Sequence, residues 1–291
     1  MASGNYTPGC IGEDRQLLDQ DAIDSAYRLD DGHLTRSYGH SVWKYGGVGQ
    51  ELLDRGESLF SGNSGTSFGT IVDRLIPALI CGKTIDDLYA YAPDEVLSNG
   101  ARRGQAYTQW KADLGPRRDL SRDDFFRARA IAENTLKHPA AGRILHCTMD
   151  CQGAMRWEDE AGHKRKALLD GLTPDFAWDF KTTSSDWKNL WRSCEDYGYL
   201  WQAAWYQDGL IACDITDEPL KFVFAQTFRP YAVRVRTLPP DLVDQARDEI
   251  RETLAQIALR REIGVYSSPE DDEEGELEFP AFMRRGVRNE S

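Results

Sequence analysis

The stretch DGLTPDFAWDFK, residues 170–181, sets an acidic residue before a turn and an Asp-x-Lys triplet after it. The second half alternates as a strand does, so its aromatic residues share one face while Asp179 and Lys181 share the other. Burial of the aromatic face would fix the register and direct the charged pair outward. A hairpin would then bring Asp170, Asp179 and Lys181 within reach of one metal-bound phosphate.

The turn of this hairpin is predicted at residues 173–175, Thr-Pro-Asp, because proline presets its own φ and aspartate can bond its own backbone. The preceding strand is predicted at 164–170. A flat register between the two strands does not seat Asp170 beside Asp179. We therefore expect twist or a bulge to close that gap.

An Asp-x-Lys triplet is a short signal, and an exposed ion pair on a half-buried strand is the alternative interpretation of Asp179 and Lys181. The chain holds a second triplet, Asp186-Trp187-Lys188, which lacks strand alternation. A helix start with a serine cap and an early acid explains that second triplet better.

A helical pattern follows about twenty residues later, in YGYLWQAAWYQDG at 197–209. Tyr199, Gln202 and Tyr206 fall at i, i+3 and i+7, so they share one helix face. The alternative interpretation is an aromatic core stripe in which Gln202 is satisfied by backbone groups.

A strand with Asp-x-Lys followed by a helix with Tyr-x-x-Gln-x-x-x-Tyr resembles the PD-(D/E)xK nuclease superfamily. More narrowly, the chain resembles the RecE-type (exodeoxyribonuclease VIII-like) recombination exonucleases of phages and prophages, including Lys-Thr-Thr at 181–183 and QAAWYQDG at 202–209. The resemblance covers about residues 60–262. It implies an α/β fold with a restriction-endonuclease-like (PD-(D/E)xK) core, in which helices flank a mixed central β-sheet.

The resemblance also implies roles for particular residues. Asp170, Asp179 and Lys181 would be catalytic, and Asp170, Asp179 and the backbone carbonyl of Phe180 would bind metal. The residues expected around them, binding DNA phosphate or orienting the lysine, are Gln202, Tyr206 and Tyr199. Carboxylate, water and phosphate oxygens suit Mg²⁺, and Mn²⁺ is the expected substitute.

The chain departs from the family pattern at two positions. Gly69 stands where the family usually has a metal-associated histidine on the opening helix. Gln152 stands where a glutamate is usual, although Glu158 could take that part. These departures leave open whether one or two metals bind.

The resemblance implies a Mg²⁺-dependent deoxyribonuclease, most specifically a 5′→3′ double-strand exonuclease that produces single strands for recombination by annealing. Its implied partners are double-stranded DNA ends and a RecT-like single-strand annealing protein, and its implied assembly is a ring-shaped homo-oligomer. One alternative is a RecB-type repair or defence nuclease with endonuclease activity. Another is a nuclease-like module that binds DNA or a partner without cutting, as Gly69 and Gln152 suggest.

Composition indicates a globular protein, because 41% of the 291 residues are apolar and eight are tryptophan. No signal peptide, membrane span or Walker-type phosphate loop is recognisable, so we expect a cytoplasmic enzyme of a bacterium or phage-infected host that uses no ATP. Six scattered cysteines suit a reducing compartment. The resemblance implies no iron–sulfur cluster, since some members of the superfamily carry three grouped cysteines after the nuclease core and no cysteine follows Cys213 here.

The net charge of −13 has the wrong sign for a protein that coats DNA, but seven of its acidic residues lie within 270–278. The basic run 163–166 is one candidate for a DNA channel. The predicted division is an N-terminal extension at 1–60, a nuclease domain at 61–265 with a helical insertion at about 84–137, and an acidic tail at 266–291. Helices are predicted near 66–80, 186–210 and 240–262, and strands near 147–157, 164–170, 175–182, 220–227 and 231–237.

Overall fold

The computed structural model describes residues 3–9, 34–35 and 67–263. The acidic tail predicted at 266–291 lies outside the described residues, as does most of the extension predicted at 1–60. Within the described part of the chain, no helix is both long and apolar enough to cross a membrane.

Short strands alternate with helices along the chain. The strands are β1 Ser3–Thr7, β2 Leu34–Thr35, β3 Tyr89–Tyr91, β4 Arg118–Leu120, β5 Ala154–Glu158, β6 Lys164–Leu168, β7 Gly171–Leu172, β8 Ala177–Thr183, β9 Lys221–Gln226 and β10 Val233–Arg236. The α-helices are α1 Phe68–Ile80, α2 Ile85–Leu88, α3 Gln105–Ala112, α4 Arg122–Lys137, α5 Pro139–Cys147, α6 Leu190–Asp196, α7 Tyr199–Ala212 and α8 Pro240–Ile263. A 3₁₀-helix covers Asp94–Val96.

Two four-stranded mixed sheets carry the fold, in the orders β1-β5-β6-β2 and β10-β9-β8-β7. Strand β8 is inside the second sheet, antiparallel to β7 and parallel to β9. Only Leu169 and Asp170 separate β6 from β7, so one passes almost directly into the other. Asp170 therefore sits at the break between the two sheets.

Both faces of β8 are covered by helices. Trp178 and Phe180 belong to a core cluster that contains side chains of α1, α4 and α5. Ala177, on the opposite face, belongs to a second cluster built with α7 and α8. The predicted α/β architecture, a mixed sheet flanked by helices, is confirmed.

Burial of both faces corrects one expectation. The charged face of β8 does not point outward, because α7 packs over it and leaves Asp179 only 1% exposed. The fully buried side chain of Trp178 fixes the strand position. A slip of one residue would exchange Trp178 and Asp179 and put a carboxylate into an apolar cluster.

Two element boundaries were also predicted wrongly. The strand expected at 147–157 begins only at Ala154, because helix α5 continues to Cys147. The helix expected at 186–210 is two helices, α6 and α7, which meet at Gly198 with φ +62°. That left-handed conformation favours glycine and ends the first helix.

The basic run 163–166 is not a free DNA-binding surface. Arg165 and Lys166 are 3% and 4% exposed. The guanidinium of Arg165 lies 4.1 Å from the ring centre of Trp205 and donates to Asp208 at 3.0 Å. The positive charge of Arg165 is therefore buried inside the fold, where the Trp205 ring and the Asp208 carboxylate stabilise it.

Candidate active site

A tight hairpin brings the two predicted catalytic carboxylates together. Strands β7 and β8 pair Gly171 with Trp178 and Leu172 with Ala177. Continuing this register by one position sets Asp170 opposite Asp179. The turn is closed by a hydrogen bond from the Thr173 amide to the Phe176 carbonyl at 2.9 Å.

The expected twist or bulge is therefore not needed, and that prediction was wrong. Pro174 and Asp175 are the two central residues of the turn, so positions 170 and 179 are symmetrical about it. Gly171 is required here, because a Cβ at that position would come within 2.2 Å of the Trp178 ring. The side chain of Trp178 thus crosses over the backbone of β7.

Asp170 lies at the edge of β8, beyond the end of the short β7 ladder. Its Oδ2 accepts a hydrogen bond from the backbone N–H of Phe180 at 2.7 Å. The N–H and C=O of one strand residue point to the same side. Phe180 therefore directs its backbone carbonyl toward the edge occupied by the Asp170 carboxylate.

Asp179 and Lys181 form an ion pair on the face of β8 that α7 covers, opposite the face that carries Trp178 and Phe180. The ammonium of Lys181 contacts Oδ2 of Asp179, and the Gln202 side-chain amide donates to Oδ1 at 2.5 Å. Because a carboxylate only accepts hydrogen bonds, the nitrogen of the Gln202 amide must face it. Gln202 is therefore tied to a carboxylate, and not to backbone groups as the alternative interpretation had it.

Burial and charge shift the titration of this group in definite directions. Burial alone would lower the pKa of Lys181, but the neighbouring Asp179 and Asp170 outweigh it and raise that pKa, which keeps the ammonium charged. Burial raises the pKa of Asp170 well above its usual value, and the negative charges of Asp179 and Asp73 add to that rise. The pKa values of Asp170 and Lys181 therefore depend on each other and on the charge of Asp179.

The two tyrosines of the motif helix occupy different surroundings. The Lys181 ammonium lies 5.5 Å from the ring centre of Tyr199, whose pKa burial raises to about 12, so the hydroxyl stays neutral. Tyr206 is half-buried and packs against the core cluster built with α7 and α8. Tyr199 therefore adjoins the predicted catalytic lysine directly, while Tyr206 lies one turn beyond Gln202.

A small cavity adjoins the Asp170 carboxylate. It encloses about 10 Å³, room for roughly one water-sized sphere. The residues that line it are Asp73, Ile76, Pro77, Gln152, Asp170 and Phe180. Gln152 is thus placed at the site, whereas Glu158 is exposed at the far end of β5.

The lining of this cavity fits a hard divalent cation. Oε1 of Gln152 is buried and has no hydrogen-bond partner among the described residues, which leaves an oxygen donor unused. Asp73, Asp170 and the Phe180 carbonyl supply further oxygens, the ligand type that Mg²⁺ prefers. Within residues 3–9, 34–35 and 67–263, no three Asp, Glu, His or Cys side chains converge, so an ion here would need the amide and the backbone oxygen.

The N-terminal strand supports the Gln152 end of the cavity. Asp150 accepts hydrogen bonds from the hydroxyl of Tyr6 at 2.5 Å and from the amide of Gly9 at 2.8 Å. A Cβ on Gly9 would come within 1.8 Å of the Cys151 carbonyl oxygen, so the backbones there touch. This clamp holds Gln152 in its left-handed conformation, φ +56°.

Asp73 is the site residue that sequence reasoning missed. It is the one acidic residue of FGTIVDRLIPALI, and it lies one helical turn after Gly69. Gly69 faces the end of β8, since a Cβ there would lie 3.4 Å from Thr182 Oγ1. The sequence did contain a signal for Asp73. It is a lone acidic residue on an apolar helix, one turn after Gly69, where the family usually has a metal-associated histidine.

The second Asp-x-Lys triplet has a different role, as expected. Asp186 accepts hydrogen bonds from the backbone amides of Lys188 and Asn189, which lead into α6. These bonds lower the pKa of the Asp186 carboxyl. The triplet therefore forms a turn just before α6, which begins at Leu190 with Asn189 as its N-cap, so the predicted serine-capped helix start at the triplet was wrong.

Comparison with known proteins identifies the family of this chain. Residues 76–263 match the family model described as a PDDEXK-like domain of unknown function (DUF3799). The chain belongs to this family. The match confirms the PD-(D/E)xK superfamily and fold that the Asp-x-Lys strand and the Gln202 helix predicted, and it leaves the RecE-type branch as a proposal.

One solved structure is similar at the level of the overall fold. The crystal structure of a candidate exonuclease from Eubacterium rectale is similar with a TM-score of 0.53 and 15% identity, over 94% of this chain and 99% of that chain. The complex of Scheffersomyces stipitis Rai1 with (3'-NADP)+ and calcium has a TM-score of only 0.27 at 11% identity, over 89% of this chain and 83% of that one, and carries no argument. No curated protein matches the chain.

Proposed function

We propose that this PDDEXK-like protein is a Mg²⁺-dependent deoxyribonuclease that hydrolyses phosphodiester bonds. One observation carries the proposal. The register of the β7–β8 hairpin sets Asp170 opposite Asp179, with the Lys181 ammonium on Asp179 and the Phe180 amide on Asp170. Two neighbouring carboxylates and a lysine are the groups that metal-assisted phosphate hydrolysis needs.

The ion would be held by Asp170, the Phe180 carbonyl and Gln152 Oε1, with Asp179 and Asp73 as the nearby carboxylates. When bound, Mg²⁺ polarises the phosphate and lowers the pKa of a coordinated water, and Mn²⁺ can replace it.

The chain's own residues supply the remaining chemistry. Lys181 keeps its proton because of Asp179 and Asp170, so it can donate to a phosphate oxygen and stabilise the negative charge that develops there. Gln202 holds Asp179 in place by a hydrogen bond, and the Tyr199 ring packs against one side of Lys181. Neither group is required to change its protonation.

We further propose the finer activity that the RecE-type resemblance implies. The protein would resect double-stranded DNA 5′→3′ from its ends and leave single strands for recombination by annealing. A RecT-like annealing protein would be its partner, a ring-shaped homo-oligomer its assembly and the cytoplasm its location. Support comes from the Tyr199, Gln202, Tyr206 helix, of which Gln202 and Tyr199 contact the Asp179–Lys181 pair.

A linear duplex labelled at one 5′ or one 3′ end, digested with Mg²⁺, tests this proposal. Early release of the 5′ label is expected, and a covalently closed circle should remain intact. Cutting of the closed circle would favour a RecB-type endonuclease instead. If no divalent metal supports cleavage of any DNA form, the protein is a non-cleaving binding module and the proposal fails.

A further inference from the structure

Four aromatic rings form one continuous group that reaches from the sheet to the surface. At its inner end Phe222 and Phe224 of β9 stack with ring centres 5.7 Å apart, and Tyr199 packs against both of them, at 5.8 Å from Phe222 and 5.9 Å from Phe224. Tyr197 then stacks on Tyr199 at 5.9 Å with the rings 25° from parallel. We refer to these four residues as the aromatic column.

The two ends of the aromatic column differ in exposure. Phe222 and Phe224 are fully buried, whereas Tyr197 is 64% exposed. The inner rings thus hold Tyr197 in position although it buries little surface of its own. Gly198, with φ +62°, makes the reversal between α6 and α7 that lets rings 197 and 199 face each other. An exposed ring held in this way loses little conformational entropy when a ligand stacks on it.

The aromatic column also passes the predicted catalytic lysine. The Lys181 ammonium lies 5.5 Å from the centre of the Tyr199 ring, and Tyr197 is the next ring outward. When a phosphate is attacked beside Lys181, only the Tyr199 ring separates that lysine from the exposed ring of Tyr197. The base of the nucleotide that carries this phosphate has the shape and the π-face that stack on tyrosine.

We propose that Tyr197 stacks on a terminal or unpaired base of the DNA strand being cut. This inference rests on the proposed nuclease function and deepens it. Inside a duplex both faces of every base are covered by neighbouring bases, so only an end or a single-stranded position offers a free face. The aromatic column therefore selects DNA ends, which is the substrate that an exonuclease needs.

The charges of α6, the helix that precedes Tyr197, favour stacking over ion pairing as the contact that this ring makes. Arg192 lies over the ring of Trp191, itself 58% exposed, at 5.2 Å. The nearby acids Glu195 and Asp196 offset positive charge on the same helix. Binding that depends on Tyr197 should accordingly change little with salt, unlike binding through phosphate contacts.

The first test uses a duplex oligonucleotide with the fluorescent base 2-aminopurine at its terminus or at its centre. The protein carries Asp170→Asn, which blocks cleavage and does not touch the aromatic column. Quenching of the terminal probe is expected on binding in Mg²⁺, and quenching of the central probe is not. Adding Tyr197→Ala should abolish the terminal quenching, and adding Tyr197→Phe should preserve it.

The second test is kinetic and uses otherwise unaltered protein. Tyr197→Ala should raise KM for linear duplex at least about fivefold with a smaller change in kcat, because one base–aromatic stack is lost. Phe126→Ala removes another exposed aromatic ring, on α4, and should leave both constants unchanged. Thermal melting of each variant checks that the fold is retained.

The outcomes separate this inference from the proposed function. Terminal quenching that survives Tyr197→Ala, or an unchanged KM, would overturn the stacking role while leaving the nuclease intact. A change in sedimentation with unchanged quenching would show instead that Tyr197 belongs to a protein interface. If the unaltered protein cuts no DNA yet quenches the terminal probe, the nuclease proposal fails and the stacking role stands.

Discussion

Gln202 on α7 donates a hydrogen bond to Oδ1 of Asp179 on β8 at 2.5 Å, and both side chains are 1% exposed. The bond joins the two sequence motifs, the Asp-x-Lys strand and the tyrosine–glutamine helix, in a single contact. It also compensates a carboxylate that the fold removes from water, which makes the amide part of the stability of the site.

Loss of this amide should weaken both fold and activity. Gln202→Ala leaves Oδ1 of Asp179 buried with one partner fewer, at an expected cost of about 1–3 kcal/mol in unfolding free energy. Urea denaturation measures the cost, and DNA cleavage rates should fall as well. Gln109→Ala is the matched control, since Gln109 makes the same amide–carboxylate bond to Asp113 on the surface. Equal stability losses in the two variants would contradict the buried role.

The two Asp-x-Lys triplets give an internal comparison for catalysis. Lys181→Ala removes the ammonium paired with Asp179 and should lower Mg²⁺-dependent cleavage by about 100-fold or more, the usual cost of one charge-stabilising donor. Lys188→Ala, in the turn that precedes α6, should keep full activity. Initial rates on linear duplex test both. Full activity in Lys181→Ala would refute the site assignment.

Because Asp73 and Gln152 line the same cavity, we expect that a carboxylate at position 152 can replace the one at position 73. Asp73→Asn removes one carboxylate beside Asp170 and should weaken Mg²⁺ binding by about tenfold, seen as a smaller rise in Tm on adding Mg²⁺. Adding Gln152→Glu returns a carboxylate to the same cavity and should restore the rise. Asp86→Asn, on exposed α2, is the control. A double variant no better than Asp73→Asn would exclude a shared ion.

Asp170 predicts a particular dependence of stability on pH. Its pKa is raised in the folded state, chiefly by burial, so its contribution to stability is complete below the unfolded pKa and is lost as pH rises through the folded pKa. Asp170→Asn should therefore be more stable than the unaltered protein at pH 8, and this advantage should disappear near pH 4. Thermal melting without divalent metal across that range measures it.

Asp186→Asn serves as the opposite case. The pKa of Asp186 is lowered by hydrogen bonds from the backbone amides of Asn189 and Lys188, so its stabilisation is present above the unfolded pKa and is lost as pH falls through the folded pKa. This variant should be the less stable one at pH 8. The same pH trend in both variants would refute the assigned environments.

Local pattern sufficed to predict the central part of the site. Alternation in residues 175–182 identifies β8, and helical spacing identifies the face of α7 that carries Gln202. Both are short-range properties, and the order of the two motifs added the family resemblance.

The missed features all depend on contacts between distant parts of the chain. Asp73 reaches Asp170 only because α1 packs against β8. A lone acidic residue on an apolar helix does not predict that packing. The burial of Asp179 requires α7 to cover a face that alternation alone leaves open to solvent. The symmetry of the hairpin was available from residue numbers, and the expectation of a bulge was an error of register.

The clamp on Asp150 has a consequence for how the protein is made. Tyr6 leaves the ribosome 144 residues ahead of the carboxylate that it bonds. The pairing of β1 with β5 must therefore wait until β5 has been synthesised, and contacts of such long sequence separation close slowly. Gln152 would reach its final position only after that closure. The cavity beside Asp170 would in this way be completed by a closure of long sequence separation, whereas the β7–β8 hairpin that sets Asp170 opposite Asp179 forms locally.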